Sequence, residues 1–307
     1  MSLQLLSERL KSIEVVETRR SGALTVHYLS ESPPTRERGL VYRTLAAAIA
    51  GGAVEVEERS EGARVGSLSV RNLSGERIFI LGGELLRGGK QDRMVNTDVL
   101  AEAGSRLEVP VSCVERNRWR FTSGRFSSTG TASPSLRHVL SGSVRASYAA
   151  SSRPVSNQGS VWESVDSEGT SLGSRSPTSN LSDHYGSRAV DLREVVSAVT
   201  SPVEACGLLA EIEGRGRVLD VFDRADVFGE YRDRLLEGYA VHALIEGQAG
   251  SATSGPCELV ALLEGADAAE YPAVGLGREV RLASKWSEGS ALVVGDVVVH
   301  VALFTNA

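Results

Sequence analysis

Residues 82–93, Gly-Gly-Glu-Leu-Leu-Arg-Gly-Gly-Lys-Gln-Asp-Arg, hold the densest chemistry in this sequence. Four glycines within eight residues, directly after an apolar run at 78–81, permit positive φ and let a ligand approach backbone N–H groups. Lys90, Gln91, Asp92 and Arg93 then offer an ammonium, an amide, a carboxylate and a guanidinium in a row, a set that can hold phosphate or sugar hydroxyls. Gly83 and Gly88 have the spacing of a P-loop. Gly89, however, stands where the lysine should, and Gln91 rather than Ser or Thr follows Lys90, so the motif is not one. The competing reading is a glycine-rich bulge carrying an exposed cluster of ion pairs.

A second polar stretch, Pro110 to Trp119, reads Pro-Val-Ser-Cys-Val-Glu-Arg-Asn-Arg-Trp. Strand alternation puts Cys113 and Glu115 on one face and Val114 on the other. Cysteine and carboxylate could act as nucleophile and base, but no histidine stands nearby in sequence, and a buried cysteine behaving as a small hydrophobe is the commoner case. Trp119 beside Arg118 could stack a base or cap a core. The five histidines (His27, His138, His184, His242, His300) show no ligand spacing, and His300 on an apolar run reads as a core residue. Lysine occurs only at 11, 90 and 285 in an arginine-rich chain, so Lys90 either marks a position that wants an ammonium rather than a guanidinium or is one of three lysines placed there by chance.

The elements that must position these groups read as α+β, with a largely antiparallel β-sheet core and a few helices. Residues 13–18 and 23–29 form a hairpin, 40–50 a short helix stopped by Gly51-Gly52, and the runs at 54–58, 65–71, 77–81, 94–100 and 106–114 continue one sheet. Residues 121–188 are rich in Ser, Gly and Thr and poor in large aliphatics. They read as a long ordered strap with weak helical character at 136–148, anchored by Gln158 and Trp162. Beyond it come a helix at 190–200, strands at 205–212 and 217–222, a strong helix over 223–246, and a closing hairpin with its turn at Gly295-Asp296. A faint echo between 68–93 and 209–234 raises a weak internal duplication. The division expected is a single domain over 1–307, with a β-rich part (1–120), the strap (121–188) and an α+β part (189–307).

The chain has 307 residues, a formal net charge of −6, 41% hydrophobic residues and three cysteines without a Cys-x-x-Cys pair. Length and composition are those of a folded protein with a real core. The acidic balance argues against general affinity for nucleic-acid backbones, no apolar run is long enough to span a membrane, and widely spaced cysteines imply reduced thiols and a cytoplasmic setting.

The residues from Leu81 to Arg93, then Cys113-Val-Glu115 with Arg118-Trp119, then Gln158 with Val161-Trp162, resemble the ARG and Rhodanese-Phosphatase-superfamily-associated Protein domain family. There the first motif is closer to Gly-Glu-Glu-Leu-x-Gly-Ala-Lys-Gln-Asn-Arg. This chain matches at Gly83, Glu84, Leu86, Gly88, Lys90, Gln91 and Arg93 and departs at Gly89 and Asp92. The later region 216–222, the helix at 235–239 and Val299-His300 also fit. The family's activity is unsettled, and its name implies a role near ADP-ribose or NAD metabolism. On this reading Gly83, Gly88, Lys90, Gln91, Asp92, Arg93, Arg118, Trp119, Gln158 and Trp162 hold a phosphorylated nucleotide or ADP-ribose-like ligand, with Glu84 or Glu115 as general base. The alternative is a non-catalytic structural or partner-binding module with an internal charge network. Homo-oligomerisation is left open.

Overall fold

A computed structural model describes residues 2–32, 40–58, 66–118, 120–212, 216–246 and 259–305. The fold is α+β, and the chain divides into two compact units. Unit 1 comprises Met1–Leu40, Val190–Pro272 and Arg278–Ala307, while unit 2 comprises Val41–Ala189 and Ala273–Gly277.

Unit 1 begins with helix α1 (Ser2–Lys11), whose Leu6 and Leu10 are buried, and a hairpin of β1 (Ile13–Ser21) and β2 (Leu24–Glu31) turning at Gly22. Unit 2 then follows. Strand β3 (Tyr42–Thr44) leads into α2 (Leu45–Ala50), which Thr44 caps by accepting the Ala47 N–H and which ends at Gly51. The expected helix over 40–50 therefore begins only at Leu45, after a three-residue strand, since Thr44 supplies a capping hydroxyl that starts the helix late. Next come β4 (Val54–Glu57), β5 (Ser67–Asn72), β6 (Arg77–Ile80), β7 (Glu84–Arg87), β8 (Arg93–Val95), β9 (Val99–Ala101), β10 (Arg106–Cys113) and β11 (Ser127–Thr131). They form two sheets, ordered β11-β7-β8-β10-β5-β4 and β3-β6-β9, rather than one. Leu45, Val56, Leu68, Ile78, Leu86, Val95, Val109 and Phe126 belong to the apolar core these strands bury.

The Ser/Gly-rich segment is mostly helical: α3 (Pro134–Ser151), α4 (Gln158–Ser171) and α5 (Leu181–Ser187). Each begins on a side-chain cap, from Ser133, Asn157 and Asn180 respectively. Small residues that weaken a helix interior thus start each helix from outside it.

After α6 (Ala189–Val199) unit 1 resumes with β12 (Gly207–Ile212), β13 (Gly216–Phe222), α7 (Ala225–Glu246), a 3₁₀ turn (Leu259–Leu263), β14 (Asp267–Pro272), β15 (Arg278–Ala283), β16 (Ser287–Val294) and β17 (Val297–Thr305). Its antiparallel sheet runs β1-β2-β12-β13-β17-β16-β15-β14. The first hairpin therefore pairs with C-terminal strands and not with its sequence neighbours. One face buries Leu209, Leu219, Val301 and Leu303 with α1 and the 3₁₀ turn. On the other face, Tyr239 of α7 donates to Asp220, which also receives His300 Nε2 at 3.1 Å, so His300 is a core histidine with a carboxylate partner. The stretches 68–93 and 209–234 take different structures: β5 and β6 lie in separate sheets, whereas β12 and β13 pair and a helix follows.

Gly289 in β16 has no room for a side chain, since a Cβ would lie 2.5 Å from the Ala302 carbonyl oxygen across the ladder. Gly289→Ala should lower stability by about 1–3 kcal/mol through strand displacement, whereas Gly75→Ala, facing open space, should stay within about 0.5 kcal/mol. Urea unfolding of both variants checks the pair.

Candidate functional site

The two polar motifs meet in unit 2. Strands β8 and β10 pair through Cys113↔Arg93, which sets the end of the glycine loop against the end of β10. Past Cys113 the chain runs beside residues 178–181: Asn117 N–H donates to Thr178 O at 2.9 Å and Leu181 N–H to Val114 O at 3.0 Å. Asp92, Glu115 and Arg118 come together there, as do Gln91, Arg93 and Gln158.

Arg118 is the hub. Its Nη2 reaches Asp92 Oδ1 at 2.9 Å and Glu115 Oε2 at 2.6 Å, and its Nε donates to the same Glu115 oxygen at 2.7 Å. The remaining lone pairs are also used. Glu115 accepts the Asp92 N–H (3.2 Å) and the Thr178 hydroxyl (2.8 Å), and Asp92 accepts the Gly88 N–H (3.2 Å) and the Asn180 amide (3.1 Å). Both carboxylates are at least 98% buried. Burial pushes the Glu115 carboxyl up, but hydrogen bonds from Arg118, Thr178 and the Asp92 N–H outweigh it and hold the group below its ordinary range. Burial wins at Asp92, whose pKa is raised despite the Asn180 bond, with the Glu115 charge adding to the rise. Two carboxylates sharing one cation thus lean opposite ways.

Gln91, fully buried, donates to the carbonyls of Glu115 (2.7 Å) and Arg116 (3.1 Å) and accepts from Arg93. Arg93 also donates to Cys113 Sγ at 2.7 Å and to Glu58 at 3.3 Å. Burial pushes the Cys113 thiol up and Arg93 only partly offsets this, so the sulfur stays protonated at neutral pH. Gln158 binds the Cys113 backbone at both ends, accepting its N–H and donating to its carbonyl at 2.8 Å each, as a neighbouring strand would. One turn along α4, Trp162 lies under the Arg116 guanidinium, 5.1 Å from the ring centroid. Trp119 falls outside the described residues.

The glycines are spent on packing. Gly83 donates to Val95 O, and a Cβ there would meet Arg137 Cγ at 2.8 Å. Gly89 sits at φ +53° with Glu58 Oε1 2.6 Å from where a Cβ would be. The N–H groups of Gly88, Gly89 and Lys90 go to Asp92, Ser123 and Glu58. Glu84 is also fully buried but sits on β7, accepting the Leu81 N–H and the Ser128 hydroxyl. Lys90 alone of the 90–93 run is exposed.

Sequence reasoning missed a second polar cluster among the helices. Glu168 of α4 accepts from Ser133, the cap of α3, and from Tyr185 of α5 at 3.0 Å; Tyr185 in turn accepts the Ser133 N–H at 3.0 Å. No cation stands among these partners, and burial raises the Glu168 pKa to about 7. Beside it the His184 ring fills the space over Gly169, and its Nδ1 meets Ser174 Oγ at 2.6 Å. A signal was present in the caps Ser133 and Asn180, but nothing in the spacing pointed to the carboxylate between them. Among the described residues, no group of three or more His, Cys, Asp or Glu side chains could hold a metal ion.

Three outcomes follow from these environments. Arg118→Met leaves two buried carboxylates without their cation and should cost about 3–5 kcal/mol. Because the Asp92 carboxylate is disfavoured and that of Glu115 favoured, Asp92→Asn should cost less than Glu115→Gln in the same urea titrations. Glu168 behaves in the opposite sense to Glu115. Its raised pKa means its contribution is fully present below about pH 4.5 and is lost as pH rises towards 7, a loss of up to about 3 kcal/mol. Glu168→Gln should flatten that part of the stability–pH curve, measured by urea midpoints from pH 4 to 8.

No curated protein and no solved structure matches the chain. The family model for the ARG and Rhodanese-Phosphatase-superfamily-associated Protein domain matches residues 12–304, and the chain belongs to that family.

Proposed function

We infer that the protein is a non-catalytic, partner-binding module in which the 82–118 motif is an internal charge network. The observation that carries this reading is the saturation of Asp92, Glu115 and Gln91 by one another, by Arg93 and Arg118 and by the 178–180 turn. A general base must reach a substrate proton, and a phosphate loop needs open N–H groups. Here the carboxylates are covered and the N–H groups of residues 88–90 are taken. The network fixes the path of three loops, and so the surface they present.

A second reading rests on Lys90. Its ammonium is exposed, and no ion pair engages it among the described residues. A phosphorylated nucleotide or an ADP-ribose- or NAD-derived ligand would place phosphate there.

Thermal-shift titration with ADP-ribose, NAD and mononucleotides separates the two. The first reading expects no change in Tm with any of them at millimolar concentration. A rise of several degrees that disappears in Lys90→Ala would favour the second, because a ligand at 100 times its Kd stabilises by about 2.7 kcal/mol.

A further inference from the structure

The net charge of −6 conceals a sharp segregation. Residues 116–162 contain seven arginines and no aspartate or glutamate, a formal +7 that leaves −13 on the rest of the chain. The first part of that segment, residues 116–118 and 120–127, lies against the glycine loop. Thr122 donates to Gly89 O from both its N–H (3.0 Å) and its hydroxyl (3.1 Å). Arg118 Nη1 bridges Gly89 O (3.0 Å) and Arg120 O (3.1 Å), and Ser127 pairs with Arg87. These contacts bring the backbone of the glycine loop beside that of Arg120, while Arg116 pairs with Asp166 at 3.7 Å and Arg125 with Glu55 at 2.5 Å. Arg87, Lys90 and Arg120 are exposed, and no carboxylate engages them among the described residues.

An open aromatic face stands beside Arg120. Phe121, next to Arg120, is 58% exposed, a large apolar ring with no core to fill. The Trp162 ring, by contrast, is covered by the Arg116 guanidinium, which leaves Phe121 as the ring free to stack. Separate cations beside an exposed ring on an open, fixed surface suit a flexible polyanion with stackable bases better than a compact anion. The network beneath holds the loops in place before any partner arrives, so little ordering accompanies binding.

The geometry points to this surface (Arg87, Lys90, Arg120 and Phe121) as a binding site for single-stranded nucleic acid. The assignment rests on the partner-binding reading above and names the partner. Three phosphates neutralised by Arg87, Lys90 and Arg120 give a salt slope of about −2 in log K against log salt, about 0.7 per cation. Stacking on Phe121 contributes between about fivefold and a hundredfold.

Fluorescence anisotropy of the full chain with a labelled oligodeoxythymidine of about a dozen nucleotides tests this, with labelled polyglutamate as comparator. Expected are oligonucleotide binding that weakens with salt, a slope flattened by about 0.7 in each of Arg87→Ala, Lys90→Ala and Arg120→Ala, and roughly tenfold weaker binding in Phe121→Ala. All four side chains are exposed, and far-ultraviolet circular dichroism confirms that each variant is folded. No binding at low salt, or binding unchanged in the Arg87→Glu/Lys90→Glu/Arg120→Glu variant, overturns the assignment. Polyglutamate binding more tightly than the oligonucleotide also overturns it and leaves the partner-binding reading standing, with an acidic peptide as partner. Cleavage of the oligonucleotide would support the surface assignment while overturning the non-catalytic reading.

Discussion

One guanidinium between two buried carboxylates is the constraint on which unit 2 turns. Asp92 comes from the glycine loop and Glu115 from the chain beyond β10, and neither can stay ionised in the interior without a compensating charge. Arg118 supplies it from three residues past Glu115, so a short-range contact within one loop also fastens a loop 26 residues earlier. Asn180 and Thr178 then bind the outer oxygens of the same carboxylates and draw in the turn before α5. The departures from the family motif fall inside this arrangement. Gly89 occupies a left-handed position with no space for a methyl group, and Asp92 provides the second negative charge that Arg118 engages.

Where the sequence could be read, a simple period carried the information. The hairpin of β1 and β2, helix α7 and the closing hairpin of β16 and β17 were all visible in alternating or helical apolar spacing. The Ser/Gly-rich segment was not, because its helices are fixed by caps and by a buried carboxyl rather than by an apolar stripe. In α4 only Val161, Val165, Glu168 and Gly169 are buried, and the last two serve Ser133, Tyr185 and His184. Such contacts join residues 35 and 17 positions apart and leave no periodic trace.

The candidate site was legible as a set of residues but not as a use of them. Side-chain types announced that 82–93 and 113–118 were chemically loaded. Whether those groups face a ligand or each other depends on burial, which local spacing does not encode. Gln158 shows the difference well: its amide acts as two backbone groups of a missing strand, a role that no residue type advertises. The acid-free stretch from 116 to 162 was in plain view, yet whole-chain charge averaged it away.

The pairing of β2 with β12 joins Leu29 to Gly207. During synthesis the first hairpin must therefore wait for some 178 further residues, roughly ten to thirty-five seconds at ordinary translation rates, before its partner strand exists. All of the continuous stretch Val41–Ala189 emerges in that interval. That stretch, all of unit 2 but Ala273–Gly277, can thus order early, while β2, paired only with β1, keeps one largely apolar edge open, the kind of surface that chaperones hold. Slow, long-range closure of the eight-stranded sheet would then be the last folding event, which makes the earliest-made strands the most exposed to misassembly.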